Sequence, residues 1–117
     1  VRDVNSVSVS GFLGVPYAEP PVGDLRFAAP VQKANYGDYD ATYKRPLCAQ
    51  PMNCTGCEGY KTSEDCLYLN VYGPTDKTGE PMPVYYWIHG GSFTGDWHPS
   101  WYDGYQLVAH AKVFFYL

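Results

Sequence analysis

The sequence predicts an α/β protein: a small antiparallel hairpin region followed by the first strands of a larger central sheet. Three observations carry this. Residues 83–88 and 113–117 are apolar on both faces, as strands covered by helices are. Between them, residues 105–112 place Leu107, Val108 and Ala111 on one face of a short helix. Ahead of them lie short runs punctuated by Gly and Pro, the pattern of strands joined by turns.

In chain order, Val4, Val7 and Val9 alternate with polar neighbours, which suits an edge strand or hairpin arm. Residues 11–17 read as a short strand broken at Pro16, and residues 19–24 as a turn whose prolines oppose helix. Residues 32–63 are polar, rich in Tyr and Gly and without sustained period, so a long surface loop pinned by cysteines is expected there. Residues 66–72 form a strand that should end at Gly73 and Pro74, and a polar turn at 75–81 leads into the apolar run at 83–88. That run stops abruptly at His89-Gly90-Gly91-Ser92-Phe93. The chain opens on Val1 and closes inside an apolar run, the expectation for one piece of a longer domain.

Composition narrows the function. A formal charge of −4 argues against nucleic acid, which needs clustered positive charge. No apolar stretch approaches the ~20 residues of a membrane-spanning helix. Twelve Tyr, three Trp and five Phe among ten Pro and twelve Gly lean toward β structure, and leave open an all-β module that stacks aromatics on sugars. Four cysteines, Cys48, Cys54, Cys57 and Cys66, crowd one segment, where a zinc site competes with two disulfides. Only Cys54 and Cys57 have knuckle spacing, and no His lies among the four, which disfavours zinc. Asn53-Cys54-Thr55 is also a glycosylation acceptor sequence, and with the cysteines it favours an oxidising, secretory compartment.

The chemistry-bearing segment is the apolar run met at once by His-Gly-Gly. Glycines there let backbone N–H groups approach a ligand unobstructed. Acyl transfer needs such donors, because the substrate carbonyl oxygen becomes an anion, and each donor contributes about 3 to 4 kcal/mol to that transition state. An ordinary turn is the plainer alternative.

Four blocks of the sequence resemble the type-B carboxylesterase and lipase family. Phe12-Leu13-Gly14-Val15-Pro16-Tyr17-Ala18-Glu19-Pro20-Pro21-Val22-Gly23 with Leu25-Arg26-Phe27 resembles its N-terminal signature, and residues 63–72, from Ser63-Glu64-Asp65-Cys66 to Asn70-Val71-Tyr72, its second. Trp87 to Phe93, with Tyr102-Asp103-Gly104, resembles its oxyanion-loop region. The resemblance implies an α/β-hydrolase of about 500 residues in which a Ser in a G-x-S-x-G elbow, an acid and a His do the chemistry. No such elbow occurs in this sequence, so the triad is expected beyond position 117 and His89, His98 and His110 are not triad candidates. His89 is given a structural hydrogen bond, and the other two the surface.

By the same resemblance, the backbone N–H groups of Gly91 and Ser92 point into the oxyanion hole, Ser92 standing where the family more often has Gly. Phe93 and Thr94 would lie at the mouth of the substrate gorge. Cys48 and Cys66 would close a flap over that gorge, with Cys54 and Cys57 paired inside it, and Arg26 and Glu64 would form a structural ion pair. Tyr60 is the sole aromatic between Cys48 and Cys66, so the flap lacks the Trp that stacks on choline in cholinesterases. The expected partners are a small-molecule carboxylic ester and the remainder of the chain's own catalytic domain, with no metal or cofactor. The alternative is an adhesion protein that uses the same fold without a working triad.

Overall fold

Alternating valines and a two-residue turn start the fold. Strand β1 (Arg2–Val4) pairs antiparallel with β2 (Val7–Pro16). Asn5 and Ser6 between them both take positive φ, 48° and 64°, the handedness that matches the twist of a tight hairpin. The computed structural model describes residues 1–35, 37–51, 60–76, 79–95 and 102–116.

Strand β2 is continuous through Pro16, because its partner β5 (Tyr68–Pro74) pairs with it along its length. The register gains one residue on β2 between Phe12↔Val71 and Val15↔Leu69, a bulge. Gly14 supplies the φ of 69° that the bulge requires, and its N–H donates to Asn70 Oδ1 at 2.9 Å. Asn70 is the buried polar residue of this region, and that bond satisfies its carbonyl oxygen.

Prolines do not exclude all helix from the turn region, since a single 3-10 turn forms at Gly23–Leu25, too short to need the N–H groups that Pro20 and Pro21 lack. The 32–63 segment carries two short strands, β3 (Leu47–Cys48) and β4 (Thr62–Ser63), paired parallel. The Cys48–Cys66 disulfide ties Cys48 of this segment to the residues just before β5, and residues 44–66 are called the flap for short.

The C-terminal part is a strand–helix–strand unit. Strand β6 (Val84–Tyr86) runs parallel to β7 (Phe114–Tyr116), and helix α1 (Tyr105–Ala111) lies between them in the chain. Strand β7 also pairs antiparallel with β5, so the five-stranded sheet has the order β1-β2-β5-β7-β6 and is mixed. Helix α1 packs on β1, β2, β5 and β7. Val9, Tyr72 and Val108 are fully enclosed there, with Val4, Ala109 and Phe115 around them, and Tyr105 meets Tyr72 edge-on at 5.0 Å between centroids.

Strand β5 ends at Pro74, as expected; Gly73 and Pro74 both pair with β2, and Gly73 is small because the Phe114 ring lies 2.3 Å from where its Cβ would sit. Two expectations need correction. The buried face of α1 is Val108 and Ala109, while Leu107 and Ala111 face solvent. The helix sits over the hairpin side of the sheet, which turns that face inward. Strand β6 is not covered: it is the sheet's edge among the described residues, with Val84 61 % and Tyr86 59 % exposed. Among the described residues, no helix is long and apolar enough to cross a membrane.

Candidate active site

The loop after β6 begins with the ladder still intact, Trp87 N–H donating to Tyr116 O at 2.8 Å. The chain then turns sharply. Gly91, Ser92 and Phe93 take consecutive positive φ values of 120°, 53° and 59°. A φ of 120° is open to Gly and closed to residues with a Cβ, whereas Ser92 and Phe93 occupy the left-handed region at a cost of about 1–2 kcal/mol each. Thr94 closes the turn from its far side, its N–H and Oγ1 both donating to Gly91 O at 3.0 and 3.2 Å. His89 Nδ1 lies 2.7 Å from Gly90 O, close enough to brace the corner when that nitrogen carries the proton.

These contacts use carbonyls on the loop's acceptor side. Among the described residues, neither the Gly91 nor the Ser92 N–H donates to a protein acceptor, and both lie at the C-terminal end of β6, a parallel strand. Open α/β sheets bind ligands at that end. The Phe93 side chain is fully exposed, and Thr94 is exposed as well.

Opposite the loop stands the flap. A cavity of about 310 Å³ opens between residues 44–50, the Cys48–Cys66 disulfide, Tyr68 and Asn70 of β5, and His89, Phe93 and Gly95 of the loop. Arg45 supports the flap's base. Its guanidinium lies over Tyr43 and Tyr39 at 3.9 and 4.9 Å, its terminal nitrogens donate to Tyr43 Oη and Asp40 O, and its stem fills the space that the missing Cβ of Gly14 leaves. Tyr68 Oη donates to Asp65 Oδ1 at 2.9 Å. Burial, reinforced by that bond, pushes the phenol up to about 12.

Of the other candidate residues, Arg26 Nε stands 2.5 Å from Glu64 Oε1, joining the segment after β2 to the flap's exit. Both side chains are half exposed, so this pair is worth at most about 1 kcal/mol. His110 is exposed on α1. Asn53, Cys54, Cys57 and His98 lie outside the described residues. One feature had no sequence signal: Arg2 bridges β1 to Asp103, two residues ahead of α1, its guanidinium 3.0 Å from Asp103 Oδ2 and over the Tyr105 ring, while Asp103 Oδ1 accepts the Tyr105 N–H.

Comparison with known proteins agrees with this architecture. The family model described as the carboxylesterase family matches residues 1–115. The chain is 40 % identical to the para-nitrobenzyl esterase of Bacillus subtilis (strain 168), over 97 % of this chain and 24 % of that protein. It is 41 % identical to liver carboxylesterase 1 of Mus musculus, over 92 % of this chain and 21 % of that protein. A solved thermophilic PNB esterase superposes with a TM-score of 0.83 at 42 % identity, covering 92 % of this chain and 23 % of that one. The fold is therefore of the α/β-hydrolase class. The chain belongs to the carboxylesterase family, and spans about a quarter of the length of the relatives it matches.

Proposed function

We propose that the full-length protein hydrolyses carboxylic esters as a serine esterase or lipase. This chain would be one segment of its catalytic domain, contributing oxyanion donors from Gly91 and Ser92 and a disulfide-closed flap. The observation that carries the reading is the turn after β6, where consecutive positive φ values accompany two neighbouring N–H groups that have no protein acceptor among the described residues, at the ligand-binding end of a parallel strand. A carbonyl oxygen seated against them would be stabilised as it gains charge. Nothing among the 117 residues forms a G-x-S-x-G elbow, so the nucleophile, acid and His are assigned downstream. Phe93 and Thr94 would border the substrate entrance. The Cys48–Cys66 disulfide supports secretion, with a second bridge between Cys54 and Cys57 and a glycan on Asn53 as parts of the same proposal.

Steady-state kinetics of the full-length protein on a short-chain aryl ester test the loop. Ser92→Gly should be tolerated, since Gly adopts φ 53° without strain. Gly91→Val should lower kcat about 100- to 1,000-fold, with a smaller change in KM, because the lost donor acts mainly in the transition state. Folded Gly91→Val protein with near wild-type kcat would show that the oxyanion is held elsewhere.

A further inference from the structure

The two walls of the cavity touch where Gln50 of the flap meets Gly95 of the 89–95 loop. Both residues line the cavity, and a Cβ built on Gly95 would lie 2.7 Å from Gln50 Oε1 and 3.6 Å from its Cβ and Cδ. The Gln50 side chain therefore lies against the Gly95 backbone, in space that any larger residue at 95 would claim.

Each partner is tied to something firmer than itself. Gly95 directly follows Thr94, whose N–H and Oγ1 donate to Gly91 O and so close the turn that carries the Gly91 and Ser92 N–H groups. Displacing Gly95 would displace that closed turn with it. Gln50 is two residues past Cys48, which pairs with Ser63 and is bonded to Cys66 beside β5. Leu47, on the same strand as Cys48, is buried, and its N–H donates to Lys61 O at 2.9 Å. The route from the central sheet to the loop is short: β5, the disulfide, Gln50, Gly95. Ser92 and Phe93 hold positive φ within that turn, and a strained backbone persists where its surroundings over-determine it.

We propose that Gln50 is a positioning residue for the oxyanion donors, bracing the 91–94 turn through Gly95 with the flap's disulfide as its anchor. This deepens the esterase reading above and rests on it, since the donors it positions are Gly91 and Ser92.

Variants of the full-length protein test it, read by steady-state kinetics on 4-nitrophenyl acetate and by inhibition with an aryl trifluoromethyl ketone, whose serine adduct carries an oxyanion. Gln50→Ala should lower kcat about tenfold with little change in KM, because misplaced donors matter mainly in the transition state. Ki for the ketone should rise by a similar factor. That pairing separates positioning from folding: a smaller folded fraction lowers kcat but leaves KM and Ki as they were. Gln50→Met keeps the reach of the side chain and should return both constants to within about twofold of wild type. Replacing Cys48 and Cys66 by Ser should also raise Ki, and adding Gln50→Ala to that variant should change it little further, since residues on one route are not additive. An unchanged Ki in Gln50→Ala, or equal losses in Gln50→Ala and Gln50→Met, would overturn the brace and leave the esterase reading in place. Additive losses from the disulfide and from Gln50 would overturn the disulfide as its anchor. Wild-type protein that neither hydrolyses the ester nor binds the ketone would overturn the esterase reading and the positioning role with it.

Discussion

Tyr68 stands where the flap hands over to β5, and its phenol shows how one residue reports on that junction. Its folded pKa is raised from 10.0 to about 12, so the native state holds the proton more tightly than the unfolded chain. The associated stabilisation is complete below pH 10 and fades as pH rises toward about 12. In the full-length protein Tyr68→Phe should flatten the fall of stability across that window, as measured by urea unfolding at several alkaline pH values; an unchanged slope would assign the loss to other groups. At this scale the sequence was informative about Gly91 and silent about its neighbours. Glycine advertises positive φ, but Ser92 and Phe93 adopt it because the turn compels them, and nothing in a Ser or Phe signals that. The cavity was illegible for a similar reason, since residues 44–50 meet 89–95 only through long-range folding.

Among the elements, the flap depends most on a covalent tie. Strands β3 and β4 are two residues each, too short to hold the segment by backbone pairing alone. The Cys48–Cys66 bridge closes a loop of 18 residues, and the chain-entropy model gives about 3 kcal/mol for a loop of that size. Replacing both cysteines by Ser should therefore lower stability by about 2–4 kcal/mol and speed proteolysis within the flap before the sheet is cut. Thermal unfolding together with limited proteolysis would check this, and simultaneous cleavage of flap and sheet would count against it. Strand positions were readable because apolar runs bounded by turn residues leave few alternatives. Helix α1 was readable as an element, but not in its orientation. Leu107, Val108, Ala109 and Ala111 offer two apolar faces over seven residues, and only the hairpin beneath selects Val108 with Ala109.

For the whole molecule, the uneven distribution of burial matters more than any single contact. The hairpin side is sealed by α1, while the β6 edge exposes Val84, Tyr86 and Ile88, the last 77 % accessible. An apolar run with an unpaired edge invites association with another chain. Expressed alone, the 117 residues should self-associate and melt without a sharp transition, and sedimentation with calorimetry would reveal a monomer with a cooperative transition if this is mistaken. The apolar run at 83–88 had suggested a covered central strand, because sequence records that a strand is apolar but not what covers it. The pairing of β2 with β5 has a further consequence, in time rather than space. Its partners run from Pro16↔Tyr68 to Val9↔Pro74, residues more than fifty positions apart, whereas β1 and β2 meet across a two-residue turn. During synthesis the hairpin is complete long before β5 exists, and then waits for it with one edge unpaired. Stabilising or weakening the Asn5 turn should thus alter the refolding rate nearly as much as the equilibrium, and stopped-flow refolding of Asn5→Ala in the full-length protein would register that early nucleus, or its absence if only unfolding accelerates.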